Sequence, residues 1–200
     1  TIEAPPPETL LTHDQLFQVE IYPPEQRATR LGLQLRAAGH PRAAVVAYAQ
    51  ATETDGRGWY ELARLLASPE QARAVGVGDT PIGGLLSACM EAACDLGDPS
   101  ALNALAGVCH RGRKDWPVAR DPVRATALSR AGLRGATDVD LLADLHLRLA
   151  VLALEHPGEE GCPTLEEGRA HLEAAEAQDR PQYVESLRAL RERYAALDRD

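Results

Sequence analysis

A bulky aliphatic residue followed by a tiny one recurs along this chain, as Leu31-Gly32, Leu62-Ala63, Leu105-Ala106 and Leu149-Ala150. The leucines are 31, 43 and 44 residues apart. Around the middle two the match extends further, with Leu66 falling on Cys109. A period in this range marks stacked helix pairs, because one such pair cannot bury both of its faces alone. The small residue lets one helix approach another closely, and the leucine fills the space beside it. Composition agrees. Aromatic residues make up only 4% of the chain while alanine and leucine abound, which suits helix-on-helix contact better than a sheet. Two hundred residues are enough for one compact domain or one short solenoid.

Turn and cap signals set the expected boundaries. Residues 1–10, with Pro5-Pro6-Pro7, read as a disordered or extended lead. Thr12 with Gln15 resembles a capping box for a short first helix ending near Ile21. Pro24 opens a helix that Gly39 ends, and Pro41 opens its mate. Asp55-Gly56 reads as a turn before a helix over 57–67, and Ser68-Pro69 starts a separate short turn of helix. Thr80-Pro81, Asp98-Pro99 and Asp121-Pro122 each place an N-capping residue before a helix-starting proline, with Gly97, Gly112 and Gly135 near the far ends. Helices follow over 139–155, from the Thr164/Glu167 capping box to about 177, and from Pro181 to Leu197. No strand is expected. The repeat units are then 24–56, 57–97, 98–136 and 137–179, with a polar C-terminal cap over 181–198.

These units resemble known families. Leu31-Gly32 and Leu35, followed by Ala44, Tyr48 and Ala51, stand where a tetratricopeptide repeat has its large–small–large first helix and small–aromatic–small second helix. Trp59, Leu62, Ala63 and Leu66 fit the first-helix pattern again, with Leu66 replacing the usual tyrosine. The longer units are similar to the Sel-one-like variant, on Ala101, Leu105, Ala106, Cys109 and Gly112, with Ala92-Ala93, Gly97, Ala131 and Gly135 near second-helix ends. Ala174-Ala175 fits more loosely. The resemblance spans residues 24–179 and implies an α/α superhelix. This would be a right-handed solenoid of about four helix pairs, capped at both ends. It also implies a concave groove lined by the first helix of each pair. Carried over by matching the leucines, the groove residues are Arg30, Leu33 and Arg36, then Arg57, Tyr60 and Arg64, then Asn103, His110 and Arg148.

Those positions are rich in arginine although the net charge is -9. An acidic protein with a basic inner surface is expected to hold carboxylates of a protein or peptide partner, with Asn103 meeting its backbone. Exchanging Arg36 and Arg64 for glutamate is then expected to weaken capture without unfolding the chain. The overall charge argues against nucleic acid or an anionic membrane as partner. No apolar run approaches the length of a membrane span. The acidic, proline-rich N-terminus does not look like a secretory signal, so a cytoplasmic location is expected.

Nothing in the sequence forms a catalytic constellation. The six histidines include no metal-binding pair at helical spacing, and Cys109-His110 would point about 100° apart on a helix. His40 and His156 precede prolines and are expected at the surface. Cys89, Cys94 and Cys109 lie in apolar runs and read as buried thiols, while Cys162 lies in a loop and reads as exposed. The glycines at 76, 78, 83 and 84 lack the Gly-Lys-Ser/Thr of a phosphate loop. No cofactor, metal or catalytic residue is expected. A non-enzymatic adaptor is the first reading. The alternatives are a ligand-binding protein or enzyme using the 68–80 or 113–120 loop, and a self-associating structural protein. Trp116 reads first as closing its loop onto the stack and second as an anchor for a partner.

Overall fold

The structure, a computed structural model, describes residues 4–51, 55–77, 82–112 and 118–197. Among these residues the regular structure is entirely helical. The helices are α1 (His13–Glu20), α2 (Pro24–Ala37), α3 (Pro41–Ala51), α4 (Gly56–Leu66), α5 (Pro69–Ala74) and α6 (Gly83–Asp95). They continue with α7 (Pro99–Arg111), α8 (Pro122–Gly135), α9 (Val139–Glu155), α10 (Leu165–Glu176) and α11 (Val184–Leu197). The described chain divides into two compact units, residues 4–101 and residues 102–112 with 118–197.

In the first unit the caps act as the residue types require. Thr12 and Gln15 make the reciprocal capping box of α1. Gly39 and Gly97 follow helix ends with positive φ, as Gly112 does in the second unit, where Gly135 stays helical as the last residue of α8. Pro7–Thr9, inside the stretch read as an irregular lead, forms one 3-10 turn. Asp55-Gly56 differs from expectation too. Asp55 is the N-cap of α4, accepting from the Arg57 N–H at 2.9 Å, and Gly56 is already helical. A Cβ on Gly56 would stand 2.9 Å from the Ala93 carbonyl oxygen, so the glycine serves close packing rather than a turn. The Thr29 hydroxyl donates to the other Asp55 oxygen at 2.7 Å, tying α2 to the start of α4.

Helix α2 packs on α3, α3 on α4, and α4 on α6. The small residue of each large–small pair meets what the sequence demanded. Gly32 faces the fully buried Tyr48 ring so closely that a Cβ would collide with it. Ala63 is buried, but its neighbour Leu62 is only half-buried, and Leu65 and Leu66 reach the interior instead. Thr80 and Pro81 lie outside the described residues.

In the second unit α9 packs on α8 and more extensively on α10. Its nearly continuous apolar sequence is buried on several sides: Ala143, Leu145, Leu149, Ala150, Leu152 and Ala153 are all inaccessible. Leu172, Leu187 and Leu190 close a shared core with α10 and α11. The Tyr194 hydroxyl donates to the Ala150 carbonyl at 2.7 Å, satisfying both groups inside that core. A Cβ on Gly168 would stand 2.5 Å from that of Ala153, so α9 and α10 approach as closely as they do because this residue has no side chain. Leu187, Leu190 and Tyr194 are the buried stripe of α11, while Val184 and Leu197 remain exposed. Cys162, expected at the surface, is buried near Thr126. His156 is likewise mostly covered, with its Nδ1 2.8 Å from Glu159.

Candidate functional site

Of the residues proposed to line a groove, Arg36, Arg57, Tyr60 and Arg64 gather in the first unit and Asn103 with Arg148 in the second, while Arg30, Leu33 and His110 have other surroundings. In the first, the arginines do not stand apart as a row of free cations. Glu61 on α4 has a side chain that is 0% exposed, and three guanidiniums surround it. Arg36 Nη1 lies 3.3 Å from Oε2, Arg64 Nη1 lies 3.4 Å from the same oxygen, and Arg57 Nη2 lies 2.6 Å from Oε1. The Arg57 contact is an ion pair off the hydrogen-bond axis, which leaves Oε1 with charge compensation but no aligned donor.

The helix register explains this convergence. Arg57 is four residues before Glu61 and Arg64 three after it, so all three share one face of α4. Arg36 arrives from α2. Side-chain exposure of 22%, 38% and 49% for Arg36, Arg57 and Arg64 means that each guanidinium also reaches solvent. Tyr60 stacks with two of them, its ring centre 4.9 Å from Arg57 and 5.8 Å from Arg64. The second Arg57 nitrogen donates to Ser100 Oγ at 2.7 Å. The buried Tyr48 hydroxyl has no well-aligned hydrogen-bond partner, although Arg36 stands close enough to act on it. Burial, then the charge of Glu61, push its pKa up to about 12, so it remains a neutral phenol. Arg30 stands apart, 4.1 Å over the ring of Tyr22, and Leu33 is half-buried.

In the second unit Asn103 and Arg148 are brought together. Arg148 Nη2 donates to Asn103 Oδ1 at 2.8 Å, and Asn103 Nδ2 donates to Asp144 Oδ2 at 3.3 Å. The Tyr183 hydroxyl completes the chain, donating to Asp144 Oδ1 at 2.7 Å. His110 is one turn or more away and pairs with Glu155, Nε2 to Oε2 at 2.9 Å. Arg120 Nη2 approaches the same Glu155 oxygen at 3.7 Å, and its Nε donates to the His110 carbonyl. The His110 contact holds the Glu155 carboxyl below its ordinary range.

Sequence reasoning missed Glu61, Asp144, Glu155 and Tyr183. Glu61 was within reach, since its spacing to Arg57 and Arg64 is that of helix ion pairs. Asp144, Glu155 and Tyr183 act through partners about forty residues away, a distance no local pattern encodes. Among the described residues no group of three or more His, Cys, Asp or Glu side chains stands close enough to hold a metal. No described helix is long and apolar enough to cross a membrane. Residues 113–117, with Lys114 and Trp116, and residues 78–80 of the other candidate loop lie outside the described residues.

A further pair of histidines lies between α9 and α10. His146 and His171 place their Nδ1 atoms 2.9 Å apart, so one must donate and the other accept. Burial, the first cause in each case, pulls His110, His146 and His171 below the ordinary histidine value of about 6.5. A folded-state pKa below the unfolded one means that the unfolded chain binds protons first. Stability from these groups is therefore fully present above pH about 6.5 and is lost as pH falls below it. Urea midpoints are expected to decline from pH 7.5 to 5.5, and His171→Gln is expected to flatten that decline. A midpoint constant across this interval contradicts the assignment. Glu155, whose folded pKa is depressed, adds its own loss only at lower pH.

No protein-family model, curated protein or solved structure matches this chain.

Proposed function

We propose that this chain is a non-enzymatic protein-binding scaffold, a solenoid of helix pairs similar to tetratricopeptide and Sel-one-like repeats, that takes an acidic partner tail or helix along its first-of-pair helices. The single observation that supports this reading is the ring of Arg36, Arg57 and Arg64 around Glu61. Three cations face Glu61, with Asp98 also within the field of Arg57, so one positive charge is left over there on a protein whose net charge is -9. The buried carboxylate holds the guanidiniums in place before a partner arrives, which lowers the entropy lost on binding. Their solvent-facing nitrogens suit a partner's Asp or Glu, with Tyr60 as an adjoining flat surface.

The test uses a fluorescein-labelled octaglutamate peptide and measures anisotropy against the full chain, with octalysine as the opposite-charge control. The acidic peptide is expected to bind and to weaken as salt rises, because exposed charges are screened. Arg64→Gln, the most exposed of the three, is expected to weaken it by about three- to tenfold, as one charge-assisted contact is lost. Equal affinity for both peptides, or an affinity unchanged in Arg64→Gln, rejects the reading.

A further inference from the structure

A cavity of about 640 Å³ opens within the second unit, lined by the end of α7, by α9 and by α11. That volume is in the range that holds a small organic ligand. Its floor is apolar, formed by Leu147 and Val151 of α9 and by Ala189 and Leu190 of α11. Its walls carry four guanidiniums, Arg111, Arg120, Arg148 and Arg193, against two carboxylates, Asp144 and Glu155. Both Asp144 oxygens already accept, from Tyr183 and Asn103, and Glu155 is engaged by His110 and Arg120. The acids are thus committed within the protein. Arg111 and Arg193 are exposed, and Arg193 acts on Glu155 only through its charge.

Arg148 is set in place from two directions. Asn103 holds its Nη2, and Gly107 leaves room for Nη1, since a Cβ there would come within 2.9 Å of that nitrogen. A second, smaller space of about 350 Å³ lies beside it and shares Arg111, Asp144 and Arg148. The guanidinium is therefore a fixed wall with open volume around it rather than a strut in packed core.

We infer that this cavity is a binding site for a small amphipathic oxyanion, a carboxylate or phosphate head on a short apolar body. The head meets Arg148, Arg111 and Arg193, which supply paired N–H donors of the geometry that oxyanions accept. The body covers Val151, Ala189 and the remaining exposed edges of Leu147 and Leu190, removing that apolar surface from water. Neither element suffices alone. A bare anion leaves the floor wet, and a neutral chain leaves the cations without a counter-charge. This site uses none of the residues around Glu61 and stands whether or not the first unit binds a partner.

Isothermal titration of the full chain with octanoate, octyl phosphate, octanol and inorganic phosphate tests it. Saturable one-to-one binding of octanoate or octyl phosphate is expected, in the millimolar range or tighter. Octanol and inorganic phosphate are expected to bind about tenfold or more weakly, each lacking half of the recognition. Preference between the two amphiphiles identifies the head group as carboxylate or phosphate. The variant Arg111→Gln/Arg193→Gln changes two exposed side chains, so its thermal unfolding should match the parent. It is expected to lose about tenfold in affinity for the preferred amphiphile. Gly107→Ala, which crowds Arg148, is expected to weaken the same amphiphile. The inference is overturned if neither amphiphile saturates, if octanol binds as well as they do, or if the double variant retains full affinity.

Discussion

Arg36→Glu is expected to destabilise the protein by about 3–5 kcal/mol, a change in the range found when a buried ion pair is broken. The sequence alone suggested the opposite, a tolerated surface exchange. The reason for the reversal is Glu61, whose side chain has no exposure to water and whose Oε2 lies 3.3 Å from Arg36 Nη1. The exchange removes one of three cations and sets a second carboxylate against the first. Arg64 compensates poorly, being the most exposed of the remaining pair. Urea unfolding followed by circular dichroism measures the change. Arg36→Gln, which removes the charge without adding another, is expected to cost less. A stability within about 1 kcal/mol of the parent contradicts the account.

Leu105→Ala is expected to cost about 2–5 kcal/mol, the range for deleting a fully buried leucine and leaving a cavity behind. Leu105 is 0% exposed in the middle of α7, with Ala101, Ala106 and Cys109 equally inaccessible. The same substitution at Leu62, its counterpart by sequence register, should cost distinctly less because that side chain is half-buried. Comparison of the two by chemical denaturation separates register from burial. Equal losses at both sites show that the repeat position, rather than the local packing, sets the energy. A loss at Leu105 below about 1 kcal/mol shows that the neighbours collapse into the space.

The contrast between Leu62 and Leu105 shows how far local pattern reaches. Small residues at 32, 63, 106 and 150 are buried without exception, because a helix can come close only where no side chain intervenes. Their large neighbours are free to point into the core or along its edge, and two of them, Leu31 and Leu62, stop half-way. Cap chemistry was equally legible. Thr12, Ser68, Asp98, Asp121 and Thr164 each accept from a backbone N–H at the start of a helix, as their short polar side chains allow, and so does Asp138, which sequence reasoning missed. Even the capping box of Thr164 and Glu167 is present in both halves.

The candidate site was legible as a set of cations but not as an arrangement. Arg36, Arg57 and Arg64 could be placed on helix faces by counting, yet counting treats each as an isolated charge in water. Whether a carboxylate between them is solvated or sealed depends on α2 and α4 closing over Glu61. The same holds for Asn103 and Arg148, whose partner Asp144 is met only once α7 and α9 lie side by side.

Helix type, most helix limits and the burial of the small residues at 32, 63, 106 and 150 were thus legible in the sequence alone, because period, caps and side-chain size act within one or two turns, whereas the close packing at Gly56 and Gly168 was not. The pairing of Glu61 with three arginines, the depth of Leu62, the burial of Cys162 and the cavity beside Arg148 were decided only by tertiary structure. Burial and charge environment are properties of what packs against a residue, and that neighbour lies as often forty residues away as four.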